Sequence, residues 1–174
     1  MNEPKFEEKL IAAYDRMMSR VHEFLDTAES KALPTLKQRI ELAKQRAVEM
    51  REITSEEADK IAAYVERDLH DAAEYLERSG KEFSTWLQFD LQQVEKRMFE
   101  LFATVADRTR FELDKLAAQA RSAKRYHTGE ITGIGSLYCV DCGGQMQFKK
   151  TGRIPPCPKC HHTEFQRQAP QKPA

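Results

Sequence analysis

All four cysteines of the chain lie in one short stretch, as two Cys-x-x-Cys pairs, Cys139/Cys142 and Cys157/Cys160, with 14 residues between them. Zinc prefers four tetrahedral ligands and accepts thiolate sulfur at about 2.3 Å. Each pair offers two sulfurs to one ion, and the stretch between them is long enough for a hairpin that brings the pairs together. Gly143 and Gly144 follow the first pair and Pro158 sits inside the second, which suits tight turns whose amides face sulfur. The spacing therefore predicts one structural Zn2+ held by Cys139, Cys142, Cys157 and Cys160. Four protein ligands leave no open position for water, so such a site is structural and not catalytic. A redox dithiol needs only one pair, placed between a strand and a helix, and no helical pattern separates these two. Structural disulfides conflict with a reducing compartment. Iron fits the same sulfur set. His161 and His162 follow Cys160 directly but face a set that is already complete, and His127 reads as a helix-end residue.

The rest of the chain is built differently. Six of its 7 glycines fall at or after Gly129, and five of its 7 prolines lie at or after Pro155. The first 126 residues are almost free of breakers and rich in Ala, Glu, Lys, Leu and Arg, a helical composition. Apolar residues recur there at steps of three and four. Leu10, Tyr14, Met17, Val21, Phe24 and Ala28 form one seam; Leu33, Leu36, Ile40, Ala43, Ala47 and Met50 form a second, out of phase with the first, with Pro34 at the break. "TSEE" from Thr54 to Glu57 reads as a capping box, with Ile53 and Ala58 placed as a hydrophobic staple. It opens a third seam of Ala58, Ile61, Val65, Leu69, Ala72 and Leu76, closed at Gly80. Phe83, Leu87, Leu91, Val94, Met98, Leu101, Val105 and Leu113 mark a fourth, widened by Trp86, Phe89, Phe99, Phe102 and Phe111. The expectation is a mainly α chain. Residues 1–126 form an antiparallel helical bundle or coiled coil, with helices over about 5–29, 34–51, 55–79 and 82–125. A small C-terminal β zinc ribbon spans 127–168, and 169–174 are disordered. "EITGIGSLYC", "QMQFKK" and "TEFQRQ" supply the candidate strands.

Between Gly129 and Arg167 the ribbon has nine large apolar residues: Ile131, Ile134, Leu137, Tyr138, Val140, Met146, Phe148, Ile154 and Phe165. So few side chains do not offset the entropy of ordering some forty residues. A bound metal is then expected to replace the missing interior, since structural zinc contributes on the order of 10 kcal/mol in small fingers.

The residues "YHTGEITGIGSLYCVDCG" and "CPKCHHTEFQR" resemble the signature of the bacterial YbeL-like zinc-ribbon family. The resemblance is specific from Tyr126 to Arg167. It is looser over 5–125, where it rests on the helix pattern and on "ITSEEADKIAAYVERDL". It implies an N-terminal helical region, a C-terminal ribbon and zinc ligation by Cys139, Cys142, Cys157 and Cys160. His161 departs from the pattern, standing where ribbon knuckles usually carry glycine. The resemblance carries no activity.

The chain is neutral, with 28 basic and 28 acidic residues, which argues against a general electrostatic grip on nucleic acid. "MNEPKFEEK" has no basic n-region or apolar core, and no apolar run nears the length of a membrane span, so a cytoplasmic address is expected, with no membrane partner. There is no P-loop, no Gly-x-Ser-x-Gly and no His-Glu-x-x-His, and "GIGSLY" fails the dinucleotide pattern at Tyr138. The expected function is that of a non-catalytic interaction or adaptor protein with a protein partner, not an enzyme. The helical seams also admit a homo-oligomer. The alternative is a nucleic-acid or transcription-machinery binder using the ribbon and the basic end of the last helix. Residues 121–174 carry nine Lys and Arg against three carboxylates, a nominal +6 that four thiolates and one zinc ion reduce to +4. The acidic turn "TSEEAD" is a candidate tip for such a partner.

Overall fold

The computed structural model describes residues 3–26, 35–79, 86–87, 92, 94–117 and 125–167. The expectations at Ala28, Leu33, Pro34, Gly80, Phe83, Phe89, Leu91 and 169–174 lie outside the described residues, as do those at the side chains of Leu76, Phe111 and Leu113. Four helices, α1 (Glu3–Asp26), α2 (Leu36–Glu49), α3 (Ser55–Ser79) and α4 (Lys96–Ala117), precede six short strands. These are β1 (Tyr126–His127), β2 (Ile131–Thr132), β3 (Gly135–Cys139), β4 (Gln145–Phe148), β5 (Gly152–Arg153) and β6 (Glu164–Gln166).

The seams become the core. Tyr14, Met17 and Val21 of α1, Leu36, Ile40, Ala43 and Ala47 of α2, and Ala58, Ile61, Val65, Leu69 and Ala72 of α3 are all buried. Met18 and Leu25 are buried beside the α1 seam, whereas Leu10 and Phe24 are only partly covered and Met50, expected in the second seam, is exposed where α2 ends. α1 and α3 pack on each other, and each also packs on α2 and α4.

Two helix starts are fixed by reciprocal hydrogen bonds. The Gln38 N–H donates to Thr35 Oγ1 at 3.3 Å while the Thr35 N–H donates to Gln38 Oε1 at 2.9 Å. The second helix therefore begins at Leu36 with Thr35 as its cap. The Thr54/Glu57 box closes in the same way, at 3.2 and 2.8 Å, with Ile53 and Ala58 both buried as its staple.

The long helix expected over 82–125 does not form as one element. Trp86 and Leu87 are helical and buried, but Val94 and Glu95 are not helical, and α4 starts at Lys96. A continuous helix would point the Glu95 N–H at the carbonyl of residue 91. Instead it donates to the Lys149 carbonyl at 2.9 Å, in the turn after β4. The Glu95 carboxylate then caps α4, accepting the Met98 N–H at 2.6 Å and the Arg97 N–H at 3.3 Å. The seam runs through this break without a change of phase, so periodicity alone does not reveal it. At the far end, Arg125 is not helical and Tyr126 and His127 form β1, so His127 is a strand residue and not a helix end.

The strands build a four-stranded antiparallel sheet in the order β1-β6-β3-β4 and a two-stranded sheet of β2 and β5. β3 is central, pairing Leu137 with Met146 of β4 on one side and Cys139 with Phe165 of β6 on the other. The expected "EITGIGSLYC" strand splits at Gly133 into β2 and β3, and each half joins a different sheet. β4 alternates between exposed and half-buried positions, as a half-covered strand does. The ribbon also does not rest on its own few apolar residues alone. Ile131 and Ile134 belong to the helical core, while Tyr126, Leu137, Cys139, Ile154, Cys157 and Phe165 form a second, smaller cluster.

α2 ends in a Schellman turn, with the Glu52 N–H on the Ala47 carbonyl at 3.0 Å and the Arg51 N–H on the Val48 carbonyl at 2.9 Å. Arg51 occupies the left-handed position at φ 55° and is exposed. Because L-residues are disfavoured there by about 1–2 kcal/mol, Arg51→Gly is expected to stabilise the fold by about 0.5–1 kcal/mol, read as a raised urea midpoint with an unchanged m-value.

Candidate metal centre

The two knuckles repeat one design. The Gly143 N–H donates to the Cys139 carbonyl at 3.0 Å, and the His161 N–H donates to the Cys157 carbonyl at 2.9 Å. Both residues stand four places after the first cysteine of their pair, and both are left-handed, Gly143 at φ 71° and His161 at φ 63°. Each loop is closed at its base: the Cys139 N–H donates to the Gly144 carbonyl, and the Cys157 N–H to the His162 carbonyl, both at 2.9 Å. The Gly144 N–H points at Cys142 Sγ, 3.4 Å away. A Cβ at Gly144 would stand 3.2 Å from that sulfur and 3.7 Å from Cys157 Sγ, so glycine leaves room beside the cage.

β3 delivers Cys139 at its end, and its pairing with β6 brings the second knuckle alongside. Cys139 Sγ lies 3.5 Å from Cys160 Sγ, and Cys142 Sγ 3.6 Å from Cys157 Sγ. All four sulfurs fall within 4.8 Å of one another. Four sulfurs placed about 2.3 Å from a tetrahedral centre stand about 3.8 Å apart, so the donor set fits one zinc ion. The thiols are free and not disulfide-bonded. Cys139 and Cys157 are buried, Cys160 is half-buried and Cys142 is exposed. Among the described residues the clustered metal-binding side chains are these four cysteines, without His161, His162 or His127. The four cysteines are positioned to bind one metal ion, and the arrangement is that of a structural Zn2+ site.

The thiols differ in acidity before any metal binds. The backbone N–H groups of Cys160 and Lys159 lower Cys157 to about 6. Cys160, although the His162 N–H donates to it, is pushed up to about 12 by burial and by the three sulfurs it faces. The crowding that makes the fourth proton hard to remove is the crowding that a divalent cation relieves.

A second group of polar residues, which no sequence motif marks, joins the ribbon to the helices. Asp68 of α3 has no exposed surface. Its Oδ2 accepts from Tyr14 Oη at 2.5 Å, from the Gly133 N–H at 2.8 Å and from Thr132 Oγ1 at 3.2 Å. Its Oδ1 faces Arg67 Nε at 3.2 Å and Arg167 Nη2 at 3.6 Å. Arg167, itself buried, also donates to Thr132 Oγ1 at 2.7 Å, to the Ile134 carbonyl at 3.2 Å and to Tyr126 Oη at 3.2 Å. Its guanidinium lies over Trp86, 4.6 Å from the ring centroid. Tyr126 Oη donates to Asp71, and Arg67 Nη1 to Glu130, while Arg67 Nη2 reaches the Ile131 carbonyl at 3.1 Å. Burial pushes the Asp68 carboxyl up, but the Arg67 and Arg167 guanidiniums, the Tyr14 hydroxyl and the Gly133 amide outweigh it and hold the group below its ordinary value. The sequence does contain a signal: Asp68 stands seven residues after Ile61, inside the α3 seam, and Arg167, just past β6, stands two residues after the buried Phe165.

Two outcomes follow from these geometries. His161→Gly is expected to stabilise the second knuckle by about 1 kcal/mol and His161→Val to destabilise it, as thermal unfolding of the zinc-loaded chain would report. Asp68→Asn strands buried guanidinium charge and is expected to cost about 3–5 kcal/mol in urea unfolding. Because the folded carboxyl titrates below the unfolded one, its contribution is complete above about pH 4. It is lost as pH falls through the lower folded value, so the wild-type stability curve bends down in acid where that of Asp68→Asn is flatter.

Comparison with known proteins agrees with this geometry. The zinc-ribbon containing domain family matches residues 23–169. "Uncharacterized protein YbeL" of Escherichia coli K12 is 30% identical over 129 residues, covering 74% of this chain and 79% of the relative. The proteins of the same name in the CFT073 and O157:H7 strains match to the same extent. No solved structure matches. With the family covering most of the chain, including both knuckles, and relatives matched across most of their own length, this chain belongs to the YbeL-like zinc-ribbon containing domain family.

Proposed function

We propose that Cys139, Cys142, Cys157 and Cys160 hold a single structural Zn2+, and that the chain is a non-catalytic adaptor, working in the cytoplasm, whose helical part and ribbon together present a surface to a protein partner. The observation that carries this reading is the saturation of the cage: four sulfurs within 4.8 Å of one another complete a tetrahedron and leave no position for substrate or water. The other concentration of titratable groups supports it too. Asp68, Tyr14 and Tyr126 have no exposed surface, and their hydrogen bonds are made to one another and to Arg67, Arg167, Thr132, Gly133 and Asp71. We read the helical part as an antiparallel bundle, with self-association through it as a separate question for sedimentation. Among the described residues, no helix is long and apolar enough to cross a membrane.

The nucleic-acid and transcription-machinery reading has Arg121, Lys124 and Lys172 outside the described residues and, among the described ones, loses support from the placement of three cations. Arg167 is buried against Trp86, Arg125 faces Glu164 at 3.4 Å and Arg153 faces Glu7 at 3.7 Å. Lys149, Lys150 and Lys159 are the exposed cations that remain on the described part of the ribbon without an ion pair there. The carboxylates of the "TSEEAD" turn are also engaged: Glu57 by the Thr54 N–H and by Lys9, Glu56 by Lys60, and Asp59 by Lys44.

Elemental analysis of reduced, freshly purified chain is expected to find about one zinc per chain, and Cys157→Ser to lose it; an ordered ribbon without stoichiometric metal would sink the zinc assignment. Affinity capture from native cells should enrich a protein partner with the wild type and not with Cys157→Ser. A gel shift at low salt that weakens steeply as salt rises would instead favour nucleic acid.

A further inference from the structure

We infer that filling the sulfur cage and docking the ribbon on the helices are one coupled equilibrium, so that loss of the metal releases Arg167 from Asp68 and uncovers an apolar face of the helical core. The inference rests on the zinc reading above and goes beyond it.

β6 is the connecting element. It begins four residues after Cys160, and its Phe165 pairs with Cys139 on one side and Tyr126 on the other. Phe165 is fully buried in the small cluster that contains Cys139 and Cys157. The next inward-facing residue is Arg167, so the register that places Phe165 beside the cage also places the guanidinium over Trp86 and against Thr132, Ile134, Tyr126 and Asp68. β3 makes a second connection. It ends at Cys139, while its Ser136 donates to the Leu87 carbonyl at 2.6 Å. Just before it, Gly133 lies so close to α1 and α4 that a Cβ there would stand 2.7 Å from Tyr14 Oη and 3.3 Å from Phe102.

Neither half of this arrangement holds alone. The ribbon's own cluster has six buried residues, two of them cage cysteines, which is too small a core to order the segment without the cross-link. On the helical side, three of the five groups around Asp68 come from the ribbon, namely Thr132, Gly133 and Arg167. Undocking removes these three and uncovers Tyr14 and Phe102, against which Gly133 lies, and Trp86, against which Gly135 and Arg167 lie. The exposed Cys142 gives a competing chelator access to the cage from solvent.

Trp86 is the sole tryptophan of the chain and lies at this junction, stacked on Phe102 at 5.3 Å and covered by Arg167. The test uses full-length, zinc-loaded, reduced protein and a metallochromic chelator that reports each equivalent of zinc removed. Trp86 emission is expected to shift to longer wavelength in step with zinc release, amides of α3 around Asp68 to lose exchange protection, and both to recover when zinc is restored. Zinc leaving while emission and protection stay unchanged would overturn the coupling and leave the zinc site standing; a chain that never holds zinc would overturn both. Linkage supplies the reciprocal measurement. Thr132→Val removes one contact to Asp68 and one to Arg167 without touching the cage. Its zinc affinity should fall by about 5-fold or more, against no change for the exposed Lys150→Ala. Equal affinities in a Thr132→Val protein with native circular dichroism would overturn the inference.

Discussion

Asp68 is a carboxylate shut off from water, and the way it is satisfied organises the molecule. Burying an isolated carboxylate costs several kcal/mol even after relaxation. Here five groups together offset that cost, and they are the Tyr14 hydroxyl, the Arg67 and Arg167 guanidiniums, the Thr132 hydroxyl and the Gly133 amide. They come from α1, α3, β2, the turn that follows it and the residue after β6. No subset drawn from the helices alone provides both the second guanidinium and the backbone donor. The helical part is therefore electrostatically complete only with the ribbon in place, and the ribbon is attached through a charge and not merely through grease.

This arrangement changes how the metal is to be understood. Judged by its own apolar residues, the ribbon needs an ion in place of an interior. The structure shows two supports instead. The cage gathers the knuckles and the small cluster around Phe165, while Ile131 and Ile134 enter the helical core. β3 runs between the two clusters and is buried at every residue from Gly135 to Cys139. A strand buried on both faces transmits a displacement from one cluster to the other, because close-packed side chains have no free volume in which to absorb it.

What could be read in the sequence, and what could not, follows the range of the interactions. Local rules hold in the main: the Thr54/Glu57 box forms, the four cysteines converge, and the seams of α1, α2 and α3 are buried except at Met50, which is exposed, and at Leu10 and Phe24, which are half-covered. Each depends on neighbours in the chain or on a ligand set whose chemistry admits few alternatives. The failures are nonlocal. The helix break before Lys96 is made by the Lys149 carbonyl, more than fifty residues away, and leaves the apolar phase intact. β1 and β5 have two residues each and exist because β6 and β2 pair with them. Asp68 and Arg167 stand at core-facing positions, which ordinarily argues against charge. Only the pairing of two such anomalies, about a hundred residues apart, gives either of them a reason.

An ion pair of this sort is a weak source of stability, since an apolar contact of equal volume often does as well or better. Its value here is in selecting one pose. Apolar surfaces slide and re-pack at small cost, whereas the guanidinium of Arg167 meets Thr132, the Ile134 carbonyl, Tyr126 and Asp68 together in a single placement. The glycines on the ribbon side tighten that selection. A Cβ at Gly135 would collide with Arg167 Nη1, and its φ of 127° is one that other residues rarely adopt. The backbone therefore approaches the arginine as closely as it can, and the arginine in turn fixes where β3 lies. A ribbon fixed in this way delivers Cys139 to the cage at a set position, so the geometry at the sulfurs is decided partly at a carboxylate on α3.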